Sequence, residues 1–178
     1  MKVCFFDIEA GGLKGNVDQV YLCAFLEYGK KPYLISRNLN ETSDKRVVTE
    51  IRDELEKYDV IIGYNSIRYD KSFINMRLLK HGLRPLKRQL HIDCYRVAKR
   101  MLNWTITSKR LICICEHLGI KGKGRVEYNY WELFKYGSVK EKQFALDQIK
   151  EHCKQDVLVL QEAYDKCFRH GISSISLA

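Results

Sequence analysis

Asp7 and Glu9 stand two residues apart at the end of an apolar run, Phe5-Phe6-Asp7-Ile8-Glu9. In a strand, that spacing sets both carboxylates on one face with backbone attachments about 7 Å apart. Like charges there repel and lose hydration, so a cation is the natural counterweight, and oxygen-only donors favour Mg²⁺ or Mn²⁺. The same pair would also suit a strand end that simply reaches solvent. A second acid, Asp70, follows the polar break Gly63-Tyr64-Asn65-Ser66-Ile67-Arg68-Tyr69. It can cap the helix that starts there, or join Asp7 and Glu9 at the carboxyl ends of the strands, where open α/β sheets gather ligands. The third group is His152 and Asp156, four residues apart and hence neighbours on one helix face. They lie beside an apolar stripe of Ile149, Cys153, Val157 and Leu160. The alternative for this pair is a weak surface interaction.

The elements that must hold these groups can be read from periodicity. Residues 2–8, 17–28 and 31–36 read as three strands, joined by turns at 11–16 and 29–32. Thr42 or Ser43 is positioned to cap a helix over 42–58, and 59–64 returns as a strand. A helix over 70–81 stops at Gly82, and a short strand covers 89–93. Helices over 95–102, 109–118, 131–136 and 139–169 follow. Three strands as an antiparallel meander, two further strands and a helical C-terminal third predict an α/β fold, a mixed sheet flanked by helices. Asp93, at a strand end, is read as the cap of the next helix rather than a fifth acid of the site.

The 178 residues are expected to form a single domain, 1–178, with a formal charge of +9. Residues 68–100 hold 10 Lys and Arg against 2 acids, which is almost the whole excess. That segment, with Tyr69, Tyr95 and Trp104 in or near it, suits phosphates and bases, though a solvated helix face would look similar. Apolar runs fall far short of the roughly 20 residues a bilayer demands, so no membrane partner is expected. Neither a signal peptide nor an anchor is read at the N-terminus. Seven cysteines with no Cys-x-x-Cys pair read as reduced core thiols of an intracellular protein. A zinc site from Cys113, Cys115 and His117 is disfavoured, because the two cysteines would point to opposite sides of a helix.

Taken together, the three acidic groups resemble the signature of the DEDD superfamily of 3′-to-5′ exonucleases, which have a ribonuclease H-like fold. Asp7-x-Glu9 resembles its first motif. The stretch from Gly63 to Asp70 is similar to the second motif in the proofreading domains of family B DNA polymerases. His91-Ile92-Asp93-Cys94-Tyr95, Leu111 to Gly124 and His152 to Val157 occur in the order of that domain. The third motif departs from both branches of the superfamily. The tyrosine branch has Tyr-x-x-x-Asp and the histidine branch His with four residues before Asp, whereas here three residues separate His152 from Asp156. Four residues turn a helix about 400°, so His152 still faces Asp156.

The resemblance implies hydrolysis of phosphodiester bonds in single-stranded DNA or RNA, from 3′ ends, with two Mg²⁺ or Mn²⁺ ions about 4 Å apart. By it, Asp7, Glu9 and Asp156 hold one ion, Asp7 bridges to the second, and Asp70 supports the second largely through water. Three roles are open to His152: base, orienting group for water, or metal ligand. Asn65, Arg68 and Tyr69 are expected to contact the terminal nucleotide, Tyr69 by stacking unless it packs in the core. Lys121, Lys123 and Arg125 form a basic loop suited to a phosphate backbone, and Tyr128, Tyr130 and Trp131 either wedge a strand junction or pack helices. The alternatives are a catalytically inactive nucleic-acid-binding module, which the intact acids disfavour, and an endonuclease on the same fold. No protein partner is read from the sequence.

Overall fold

In the computed structural model, which describes residues 1–102, 105–122 and 129–172, the apolar runs pair as one five-stranded sheet. β1 (Val3–Ala10), β2 (Val20–Glu27) and β3 (Tyr33–Ser36) form the antiparallel meander. After α1 (Lys45–Leu55), β4 (Val60–Gly63) returns parallel to β1. After α2 (Asp70–Lys80), β5 (Leu90–Asp93) joins parallel to β4. The order is β3-β2-β1-β4-β5, so both edge strands have only four residues. The three parallel strands deliver their carboxyl ends to the same side of the sheet. Backbone N–H groups of Asp59 and Val60 both donate to the Lys2 carbonyl, at 3.0 and 3.1 Å, which registers β4 against β1.

The pleat divides β1 between two cores. Cys4, Phe6 and Ile8 pack against α1 and α2, while Phe5 faces α3 (Cys94–Met101), α4 (Leu111–His117), α5 (Asn129–Tyr136) and α6 (Val139–Ala163). Asp7 and Glu9 share the Phe5 face and are therefore turned toward α6. That helix begins with a reciprocal cap: Ser138 Oγ accepts from the Glu141 N–H, and Glu141 Oε2 accepts from the Ser138 N–H at 2.7 Å. Its apolar stripe, Ile149, Cys153, Val157 and Leu160, is buried as the spacing predicts. Beyond Ala163 the helix continues as a π-helical turn (Tyr164–Phe168) and α7 (Arg169–Ile172), rather than ending at 169.

Two expectations are corrected. Neither Thr42 nor Ser43 occupies the N-cap of α1; Asp44 does, and its side chain turns inward instead of capping. Fully buried, it accepts from the Val20 N–H at 2.9 Å, from Arg77 Nε and Nη2 at 2.8 and 2.7 Å, and pairs with His81 Nε2 at 2.7 Å. Arg77 also donates to the Gly15 carbonyl at 3.2 Å, so this knot joins α1, α2, β2 and the β1–β2 loop. Arg77, counted in the cationic segment, is thus 2% exposed and inaccessible to nucleic acid. Arg84 of the same segment is bidentate to Glu56, at 2.7 Å for both bonds. Trp104, Lys123, Arg125 and Tyr128 lie outside the described residues. None of the seven cysteines forms a disulfide, and Cys113, Cys115 and His117 do not converge as a metal-ligand group among the described residues. No helix there is long and apolar enough to cross a membrane.

Burial alone would raise the Asp44 carboxyl, but hydrogen bonds from Arg77, His81 and Val20 hold it below the usual carboxylate range. Its contribution to stability is therefore complete above the unfolded-state value near 3.9 and lost as pH falls through the lower folded value. Asp44→Ala strands the buried Arg77 charge and is expected to cost about 3–5 kcal/mol at pH 7. Urea denaturation measures this; a loss below about 1 kcal/mol would show the knot to be dispensable.

Candidate active site

The strand pairing and α6 bring the first and third acidic groups together. His152 Nε2 lies 4.0 Å from Glu9 Oε1 and 3.5 Å from Asp156 Oδ2. One turn of α6 also carries Cys153, wholly buried, whose Sγ donates to the Asp7 carbonyl at 3.4 Å and approaches Asp7 Oδ2 at 3.6 Å. Two overlapping ligand groups result, Asp7 with Glu9 and Cys153, and Glu9 with His152 and Asp156. In each group the potential donor atoms lie within 4.8 Å of one another. Burial, with Asp7 and Glu9 adding to it, pushes the Cys153 thiol well up, so it stays protonated. What faces the site is then a hard donor set of carboxylate oxygens with one imidazole, which fits Mg²⁺ or Mn²⁺.

Asp70 reaches the same strand from the other core. As the first residue of α2 it is 3% exposed, and Oδ1 accepts from the Ile8 N–H, between Asp7 and Glu9, at 3.0 Å. Burial pushes its carboxyl up to about 7, with the Ile8 hydrogen bond acting in the opposite direction. A carboxyl so placed is a charge lacking its counter-cation, which fits a metal site better than a helix cap.

The polar break before Asp70 is held by Asp93. Its Oδ1 accepts from the Asn65 N–H at 2.8 Å and the Tyr95 N–H at 3.0 Å, and Oδ2 accepts from the Ile67 N–H at 3.1 Å. Asp93 therefore caps α3 as expected, and it also clamps the turn in which Asn65 adopts a left-handed φ of 58°. Ser66 is buried under this turn and shares a 2.8 Å hydrogen bond with His91 Nε2, and a Cβ at Gly63 would overlap the Ser66 side chain.

Two clefts flank this region, the first with Glu9 in its lining and the second bordering the turn at Asn65. One of about 320 Å³ is lined by Glu9, Leu13, Tyr69, Trp131 and Lys135 among others. Within it, the Tyr69 hydroxyl donates to the Gly12 carbonyl at 2.8 Å, and Trp131 stands edge-on to His152 with centroids 6.5 Å apart. The other, about 530 Å³, combines Tyr64, Asn65, Arg68 and Tyr95 with Lys109 and Arg110. Thus Asp7, Glu9, His152 and Asp156 converge and Asp70 adjoins them. Tyr69 lines the first cleft, and Asn65 and Arg68 line the second. Cys153 and Lys135 are not read from the sequence as site residues, and Trp131 only as a strand-junction wedge or a helix-packing residue. The i, i+4 spacing of Trp131 and Lys135 on a short helix was the signal that could have found these two.

Comparison with known proteins bears on the fold and the family. The chain is 34% identical over 90 residues, 51% of its length, to a DNA polymerase III PolC-type of Ureaplasma parvum, and spans 6% of that protein. Its fold matches that of the family B DNA polymerase from the hyperthermophilic archaeon Pyrobaculum calidifontis with a TM-score of 0.72 at 17% identity. That match covers 93% of this chain and 24% of the polymerase chain. The model of the RNase H superfamily spans residues 4–168, nearly everything from β1 to the π-helical turn. With the mixed sheet, its strand order and the acids at the carboxyl end of β1 all in keeping, the chain belongs to the RNase H superfamily.

Proposed function

We propose that this chain is a metal-dependent 3′-to-5′ exonuclease that hydrolyses phosphodiester bonds of single-stranded DNA or RNA. The observation that carries the reading is the convergence of Asp7, Glu9, His152 and Asp156, with Asp70 alongside, from three distant parts of the sequence. The similarity to chains named as DNA polymerases supports nucleic acid as the substrate. A protein that only bound nucleic acid would gain nothing from concentrating like charges at a buried strand end.

Asp7, Glu9 and Asp156 are the residues that would hold one Mg²⁺ or Mn²⁺, and Asp7 with Asp70 those that would hold a second. Two such ions supply electrostatic stabilisation to the attacking and leaving oxygens of an in-line displacement. In this reading, His152 accepts the proton of the attacking water at Nε2, and the imidazolium formed is stabilised by Asp156 and Glu9 at 3.5 and 4.0 Å. Trp131, edge-on to the ring, restricts its rotation. Asn65 and Arg68 bind the terminal nucleotide and its phosphate, and Tyr69 offers an aromatic face at the cleft.

Asp7→Ala is expected to abolish the 3′-end ladder from an end-labelled single strand in Mg²⁺ or Mn²⁺. The loss should exceed about 100-fold, more than an outer-sphere partner costs, while the variant still folds in EDTA. Unchanged degradation by this variant would refute the site, and cutting of circular single strands by the parent chain would reassign it as an endonuclease. His152→Tyr should retain activity with an altered pH profile, since the spacing to Asp156 is that of the tyrosine branch; complete inactivity would show an indispensable imidazole. Asp70 carries a raised folded pKa, so its charge costs nothing below about pH 4 and its full penalty above about pH 7. Asp70→Asn, which keeps the acceptor for Ile8, should therefore stabilise the metal-free protein at pH 8 and leave it little changed at pH 4. Thermal unfolding in EDTA at the two pH values checks the sign.

A further inference from the structure

The cationic segment retains its charge after the structure has used what it needs. Arg77 and Arg84 are neutralised by Asp44 and Glu56. The only two acids of residues 68–100, Asp70 and Asp93, are both buried, at 3% and 4% exposure. The surface of this stretch therefore carries no acidic side chain. α3 concentrates what is left: Cys94, Val97 and Ala98 face the core, whereas Arg96, Lys99 and Arg100, spaced i, i+3, i+4, are exposed along one side. None of the three has an acidic partner among the described residues, and nothing in the α/β fold requires them there.

The position of this face is fixed relative to the site. Asp93 caps α3 while clamping the turn that carries Asn65, and Tyr95, the residue before Arg96, lines the larger cleft together with Arg68. Tyr95 and Arg96 are consecutive in α3, so the cationic face begins one residue beyond the lining of that cleft. The chemistry changes at this boundary. Inside the cleft, tyrosines accompany the cations, as unpaired bases require, since they need an aromatic surface to stack on. Along α3 the exposed face is cationic, its one large apolar side chain being Met101. A surface of charge without aromatics recognises phosphates whose bases are already stacked on one another.

We infer that the Arg96, Lys99 and Arg100 face of α3 binds the phosphate backbone of a paired nucleic-acid segment adjoining the unpaired 3′ end held at the site. The inference rests on the exonuclease reading for its geometry. It adds a second contact surface to that reading: α3 grips the paired segment that carries the unpaired 3′ tail.

The test is binding in EDTA, where turnover plays no part, by fluorescence anisotropy over a range of NaCl concentrations. The probes are a hairpin with a single-stranded 3′ tail and the same tail alone, each made as DNA and as RNA. In at least one sugar, Arg96→Gln/Lys99→Gln/Arg100→Gln should flatten the salt dependence for the tailed hairpin by about 2–3 units of slope, near 0.9 for each phosphate no longer neutralised. It should leave the tail alone unchanged. The charge-preserving Arg96→Lys/Lys99→Arg/Arg100→Lys should bind the tailed hairpin as the parent does, and circular dichroism verifies that both variants fold. Equal losses on hairpin and tail, or no loss on either in both sugars, would overturn the inference. Loss of the metal-dependent ladder with these slopes intact would instead overturn the exonuclease reading alone.

Discussion

Like charge held at one strand end, away from water, is the constraint on which the arrangement depends. The backbone at Asp7 and Glu9 is held by its pairing with Ala24 and Leu22 of β2, β4 pairs the preceding stretch up to Phe5, and α6 closes over their face. Such a site must be held by the protein itself, since carboxylates free to swing would separate before any cation arrived. The structure solves this with two other buried acids that lie outside the site. Asp44 is saturated by Arg77, His81 and Val20, and Asp93 by three backbone N–H groups. Asp70 receives the Ile8 N–H but no cationic side chain among the described residues, and burial raises its carboxyl. The contrast separates Asp70 from the two acids that build the frame.

The two frame acids act on different clefts. Asp44, through Arg77, reaches the Gly15 carbonyl and so steadies the β1–β2 loop, whose Gly12 receives the Tyr69 hydroxyl. Asp93 fixes the turn opposite. Both clefts are thereby bounded by segments tied through single buried carboxylates rather than by the sheet alone. Under the proposed function, the acidic centre then sits within a basic surround, an arrangement that draws a polyanion inward.

Much of this was legible in the sequence because it depends on local periodicity. The period of two in Asp7-Ile8-Glu9, the four-residue spacing of His152 and Asp156, and the apolar stripe of α6 each survive in the structure, and so do the order and type of every predicted element. What was not legible depends on pairing across long separations. Arg77 is separated from Asp44 by 33 residues, and in the sequence it is indistinguishable from Lys71 or Lys80. Asp44 stands where a helix cap belongs, and only the neighbouring Val20 and Arg77 explain why its side chain turns away from α1. Cys153 read as one more apolar residue of the stripe, which it is, and its approach to Asp7 needed the angle at which α6 crosses β1.

The edges of the sheet have a consequence of their own. A terminal strand exposes unpaired backbone groups to which another chain can add, and long, flat, apolar edges are the usual starting points of aggregation. Here each edge, β3 and β5, offers only four residues. Lys30, Lys31 and Pro32 run directly into β3, and Lys87 and Arg88 stand just before β5. A neighbouring molecule approaching either edge meets positive charge before it finds enough hydrogen-bonding length to hold. The most apolar strands, β1, β2 and β4, lie inside, so the segments best able to form intermolecular sheet are those already saturated within the molecule.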